Sequence, residues 1–146
     1  MSNRKKQWLT LVFLLFFAQG MAGSVHANEY INMRIIKRIE SGNNPRAWNK
    51  KEDGRGLYQI NPICLKEYNN FHSVDYTPDD LWNPAINYEI ANWYLNVRIP
   101  SMLRHFGKEV NTRNIIIAYN AGINAVVKGY VPTTTKQYLV KYEQGE

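Results

Sequence analysis

Apolar side chains recur at helical spacing along most of this chain. Ile31, Ile35, Ile36 and Ile39 share one side of residues 30–40, and Arg34, Lys37 and Arg38 take the other, the signature of an amphipathic helix. The run Ser41-Gly42-Asn43-Asn44-Pro45 stops it. Residues 48–56 are polar, charged and glycine-containing, which predicts a loop or short hairpin. An apolar–polar segment, 57–62, leads into a helix from Ile63, and residues 69–82 read as loop. Asn83 as N-cap and Pro84 at the first position open a helix that runs to about Ile99, where Pro100 stops it. Further helices are expected over 101–106, from a Thr112 cap through Ile115–Ala118 to Gly122, over 123–128, and over about 135–143. The pattern predicts a mainly helical, single domain with at most a short hairpin.

The first thirty residues have a different pattern. Arg4, Lys5 and Lys6 precede an eleven-residue stretch, Trp8–Ala18, in which only Thr10 is polar, and small residues follow. A basic head, a short apolar run and small residues describe a secretory signal peptide, with the cut after Ala27. The run is short for a membrane span of about 20 residues. The expected division is therefore signal peptide 1–27 and a mature domain 28–146, with no stable membrane span after cleavage and a periplasmic or secreted location.

Composition reads differently after that division. Removing 27 of the 146 residues leaves 119; three of eighteen basic residues leave and none of the twelve acidic ones, so the net charge falls from +6 to +3. A mildly basic chain with scattered Lys and Arg is no nucleic-acid footprint. All ten Tyr and sixteen Asn stay, side chains that pair apolar faces with hydrogen-bonding groups, as sugars require. The single Cys64 has no partner in its own chain and reads as a small buried hydrophobe. His72, His105 and Cys64 lack metal-ligand spacing, and no phosphate-binding glycine loop appears, so neither metal nor cofactor is predicted.

Chemistry gathers around Glu40. It stands four residues after Ile36 and beside Ile39, so it projects from or next to the apolar face of its helix, and Ser41-Gly42 end the helix at once. A carboxyl held against apolar surface keeps its proton to higher pH, as a general acid near neutrality must. Downstream lie Gly56-Leu57-Tyr58-Gln59-Ile60-Asn61-Pro62, Asn83-Pro84 with Asn87, Tyr94 and Leu95, Ala118-Tyr119-Asn120-Ala121-Gly122, and Pro132, Thr135 and Tyr138. With Glu40-Ser41-Gly42-Asn43-Asn44-Pro45, these clusters in this order resemble the catalytic domain of soluble lytic transglycosylases, over about residues 31–142. Tyr58 stands where that family has Met, and Thr134 where it often has an acidic residue.

The resemblance implies a goose-lysozyme-like fold, of the lysozyme-like α+β superfamily, and cleavage of the β-1,4 bond between N-acetylmuramic acid and N-acetylglucosamine in peptidoglycan. Glu40 matches the catalytic acid, which then serves as base on the muramic acid O6 hydroxyl, giving a 1,6-anhydro end. By the same resemblance Tyr119 is expected to hydrogen-bond near Glu40 and hold it in place. Gln59 and Asn120 offer amides to sugar groups, Ser41 orients the loop or the acid, and Tyr58 provides an aromatic platform. Trp48, in the loop after the first motif, is the Trp best placed for the cleft, whereas Trp93 falls within a helix and reads as core. The expected partners are peptidoglycan glycan strands and components of a secretion, pilus or conjugation apparatus. Two competing readings stand beside this one. A lysozyme-type hydrolase would draw on Glu52 or Asp53 as a second carboxylate, and a glycan-binding assembly module would not turn over.

Overall fold

Asn32 opens the first helix by accepting the Arg34 N–H on its side chain at 3.1 Å. Gly42 closes it from the left-handed region, at φ 59°, donating its N–H to the Arg38 carbonyl. This helix, α1 (Met33–Ser41), carries Glu40 in its last turn. The structure, a computed structural model, describes residues 31–146; the predicted signal peptide lies outside the described residues. After α1 come the antiparallel strands β1 (Trp48–Asn49) and β2 (Gly54–Arg55), with Trp48 opposite Arg55 and Asn49 opposite Gly54. Then follow α2 (Pro62–His72), a 3-10 turn (Asp80–Trp82), α3 (Pro84–Trp93), a π-helical turn (Tyr94–Arg98) and α4 (Ile99–His105). Last are α5 (Thr112–Ala121), α6 (Ile123–Lys128) and α7 (Thr133–Gln144). Of the described residues 63% are helical and the hairpin is their only sheet, so the domain is mainly α, as the periodicity predicts.

The core gathers around α5, whose Ile115, Ile116, Ile117 and Ala118 are all buried, and which packs against α4, α6 and α7. The α3–α4 rod adds Ile90, Leu95, Ile99 and Leu103, each with no exposed surface. Burying each such side chain stabilises the fold by roughly 1.5–3 kcal/mol. Ile36 secures α1 beneath, where α1 packs on α7, and the Asn32 N–H donates to the Tyr142 hydroxyl at 2.8 Å. That packing sets the end of α1 beside α7, and so decides what faces Glu40.

Four boundaries differ from the sequence reading. The α2 helix continues through Asn69 and Asn70 to His72, because Leu65 and Tyr68 on the same face are buried and carry it past those weak helix formers. Pro100 does not stop the long helix. In the π turn ahead of it, the Ile99 N–H reaches back five residues to the Tyr94 carbonyl, and the wider turn lets the rod pass a residue that a regular α-helix would not accommodate. The N-cap of α5 is Asn111, whose side chain accepts the Asn114 N–H at 2.8 Å; Thr112 is the first helical residue. The last helix begins at Thr133, directly after Pro132.

Asn87 joins the hairpin region to α3. It is fully buried, and its Oδ1 accepts the Tyr58 N–H at 2.8 Å. Its Nδ2 donates to the Arg55 carbonyl at 2.8 Å and the Leu81 carbonyl at 3.0 Å. Gly56, at φ 77°, passes so close that a Cβ there would lie 2.4 Å from Asn87 Nδ2 and 2.5 Å from the Leu81 carbonyl oxygen. Both the left-handed backbone and the space restrict this position to Gly.

Candidate active site

Glu40 stands half-buried at the end of α1, and the Tyr138 hydroxyl of α7 donates to its Oε1 at 2.8 Å. Burial pushes the Glu40 carboxyl from its ordinary value of 4.5 up to about 7; the Tyr138 hydrogen bond pulls it down, and the negative charge of Glu52 on the hairpin turn adds to the rise. Near neutral pH both protonation states are therefore populated, and one carboxyl can give a proton and take one back. The Tyr138 phenol is itself pushed upward, first by burial and then by the Glu40 charge, so it stays a donor.

Two adjoining cavities meet at Asn120. One, about 580 Å³, is lined by Glu40, Asn120, Thr134, Gln137, Tyr138 and Lys141, among others. The other, about 470 Å³, is lined by Gln59, Asn61, Cys64, Tyr94, Tyr119 and Asn120, among others. Together they form a groove with the carboxyl in one half and a row of amides and phenols in the other. Asn120 is exposed, and its Oδ1 accepts the Thr135 hydroxyl at 2.7 Å, which aims the remaining amide. Thr135 and Tyr138, three residues apart on one buried face of α7, thus anchor Asn120 and Glu40 respectively.

The structure assigns other duties to several residues singled out by sequence. Tyr119 does not bond to Glu40. Its hydroxyl donates to the Tyr58 carbonyl at 2.6 Å, and burial, followed by the Glu40 charge, keeps the phenol protonated. The hydrogen bond expected of Tyr119 belongs to Tyr138, which the sequence reading placed in the closing pattern without a role. The available signal was the i, i+3 spacing of Thr135 and Tyr138 on one helical face. Tyr58 is no platform: it is 3% exposed and packs edge-on against Tyr88, at 5.9 Å between ring centres. The Gln59 amide is consumed by the backbone, with Nε2 donating to the Gly56 and Ala47 carbonyls and Oε1 accepting the Asn49 N–H. The Ser41 hydroxyl turns back to the Lys37 carbonyl at 3.0 Å and does not reach the acid.

Trp48 stands on the hairpin, half exposed, outside both cavities. Its Nε1–H donates to Asp53 at 2.9 Å, and Lys50 and Arg55 lie over the ring. Arg55 also binds Asp53 at 3.0 Å and Asp79 at 3.2 Å. Asp53, held below its ordinary value by Arg55 and Trp48, is committed to the hairpin, whereas Glu52 is exposed. Cys64 is buried as expected, and burial pushes its thiol well up. Among the described residues no three His, Cys, Asp or Glu side chains gather so as to hold a metal ion, and no helix is long and apolar enough to cross a membrane.

Tyr138→Phe isolates the positioning bond. A hydrogen bond to the charged form of a carboxyl favours that form, so its loss raises the Glu40 value. The expected result is an alkaline limb of the kcat/KM profile displaced to higher pH, with turnover down by about 10- to 100-fold. An unmoved limb would remove Tyr138 from the site.

Comparison with curated proteins and with solved structures returns no match. The family model described as "Transglycosylase SLT domain" matches residues 20–138. It takes in the Glu40 helix, the hairpin, the Asn120 turn and the Tyr138 that binds Glu40, and this chain therefore belongs to the transglycosylase SLT domain family.

Proposed function

We propose that the protein is a peptidoglycan lytic transglycosylase that cleaves the bond between N-acetylmuramic acid and N-acetylglucosamine and leaves a 1,6-anhydromuramic end. The observation that carries this reading is the Glu40 carboxyl, held near neutrality at the groove with its Oε1 on Tyr138. In the first step protonated Glu40 gives its proton to the glycosidic oxygen as the C1–O bond breaks. The substrate's own N-acetyl oxygen stabilises the positive charge at C1. In the second step the Glu40 carboxylate takes the O6 proton as O6 bonds to C1, which restores the acid without consuming water. A second carboxylate is unnecessary on this route, unlike the usual glycosidase pair.

The surroundings favour this route over hydrolysis. Asp53 is occupied by Arg55 and Trp48. Asn61, where a hydrolase could carry an acid, uses its Oδ1 to accept the Cys64 N–H at 2.9 Å and cap α2. A muramidase reading draws support from Glu52, whose charge is felt at Glu40. Mass spectrometry of purified peptidoglycan after digestion separates the two. Anhydromuramic ends are expected, and reducing ends would assign the chain to hydrolysis through Glu52. Absence of any release, by wild type and Glu40→Gln alike, would favour a binding module.

Export and service to a secretion, pilus or conjugation apparatus complete the proposal. An exported form whose sequence begins at Asn28 is the expected product of signal removal, and N-terminal sequencing checks it. A form retaining Met1 would replace cleavage with anchoring.

A further inference from the structure

A third cavity, of about 500 Å³, opens on the outer side of α2 and the π turn. Its apolar wall is Phe71, Trp93 and Val97, and its polar margin is Asn70 and the Glu67–Arg98 ion pair, 2.8 Å between Oε2 and Nε. None of these residues belongs to the catalytic apparatus described above, yet the cavity is not isolated from it. Glu67 also lines the groove that holds Tyr119 and Asn120, so the ion pair forms a wall shared by the two.

Three features ask for a ligand. Phe71 and Val97, both lining this cavity, expose 67% and 49% of their surface, an arrangement a folded domain gains nothing from leaving in water. Trp93 is 7% exposed, and its buried Nε1–H finds no partner among the described residues, a deficit that native structures seldom carry without a reason. The rod bulges into a π turn at this place, and such bulges recur at functional sites. The lining is also of one chemical kind. Phe71, packed against Trp93 at 5.2 Å between ring centres, offers the exposed aromatic surface for the apolar face of a pyranose ring. The amide, carboxylate and guanidinium at the margin suit ring hydroxyls. The Glu67–Arg98 pair satisfies itself, but a purely apolar partner helix would leave the Asn70 amide unpaired.

We propose that this cavity is a distal glycan subsite, which holds a part of the wall strand remote from Glu40 while the groove holds the part to be cut. The inference rests on the peptidoglycan reading above, because the strand that enters the groove is the ligand that continues past Glu67. Short fragments fill the groove alone; longer strands gain the Phe71 contact as well.

The test measures binding of a glycan tetrasaccharide and of a much longer glycan strand to the full chain carrying Glu40→Gln. Phe71→Ala is expected to weaken the long strand by about five- to tenfold, the loss of one stacking contact, and to leave the tetrasaccharide unchanged. Asn70→Ala is expected to act in the same sense, and Phe71→Trp, which keeps an aromatic face, to bind as the parent does. Because Phe71 is largely exposed, its replacement spares the core, and an unchanged melting temperature verifies this. Unchanged long-strand affinity in Phe71→Ala and Asn70→Ala overturns the proposal, and that is also the result if the face serves a protein partner. Equal losses for both lengths, or failure of Phe71→Trp to restore binding, overturn it too. Turnover by the unmutated protein reports separately on the lytic reading. Length-dependent binding without turnover would refute lysis and keep the distal subsite, whereas turnover without length dependence would do the reverse.

Discussion

Glu40→Gln is expected to lower release of fragments from purified peptidoglycan by at least about a thousandfold, since on the proposed route the same carboxyl acts as acid and as base. The fold should survive, because the Gln carbonyl can still accept the Tyr138 hydroxyl. Stability should show a specific pH signature. The folded-state value of about 7 lies above the ordinary 4.5, so folding favours the protonated form. The stability this contributes is full below about pH 4.5 and is lost as pH rises through about 7. Gln carries no such dependence. The difference in stability between mutant and wild type should therefore move in favour of Glu40→Gln across that interval, by about 1–3 kcal/mol. Thermal melts at pH 4 and pH 8 check this. Activity within tenfold of wild type, or a pH-independent difference in stability, would remove Glu40 from the role assigned to it.

The largest loss of stability is expected at Asn87, far from the chemistry. Replacement by Leu keeps the approximate volume but leaves the Tyr58 N–H and the Leu81 carbonyl without their partner, and takes one of two donors from the Arg55 carbonyl, which keeps the Ile60 N–H. Each stranded buried group costs about 1–3 kcal/mol, so a total of about 3–5 kcal/mol is expected after partial relaxation, a large share of the usual domain stability. Urea denaturation measures it, and a loss below about 1 kcal/mol would mean that the loop does not depend on Asn87. Turnover should fall as well, because the segment that Asn87 anchors carries Gln59 and hydrogen-bonds Tyr119 through the Tyr58 carbonyl.

Both predictions concern residues that the sequence marked in different degrees. The position of Glu40 was legible because its signal is local: an apolar stripe, a carboxyl at its edge and a glycine stop all fall within twelve residues, Ile31 to Gly42. Asn83 and Gly122 as helix ends were legible for the same reason. The sequence also placed Trp93 and Cys64 in the interior. It misjudged Asn69-Asn70 and Pro100, where local preference opposes helix, because packing of Leu65, Tyr68, Ile99 and Leu103 outweighs a propensity penalty and a π turn accommodates the proline.

Around Glu40, several side chains that the resemblance singled out have other hydrogen-bond partners than it implied. Tyr58 and Gln59 sit in the expected loop, but a φ of 51° at Gln59 and the close passage of Gly56 beneath Asn87 turn the ring inward and the amide onto the backbone. Tyr119 and Tyr138 offer the same hydroxyl, and nothing in a linear chain says which one reaches a carboxyl 98 positions from Tyr138.

The sequence by itself therefore determined the helices, most of their ends, the mainly α class and the place of Glu40 at a glycine-stopped helix end beside apolar side chains. These follow from side-chain periodicity and from caps that act over three or four residues. Only the tertiary structure decided which phenol holds Glu40, that Asp53 is committed to the hairpin, and that Phe71, Trp93 and the Glu67–Arg98 pair share a cavity. Those facts depend on how α1 crosses α7 and how α2 meets the π turn. The crossings are fixed by burial of side chains summed over the whole core, a quantity to which no single segment holds the key.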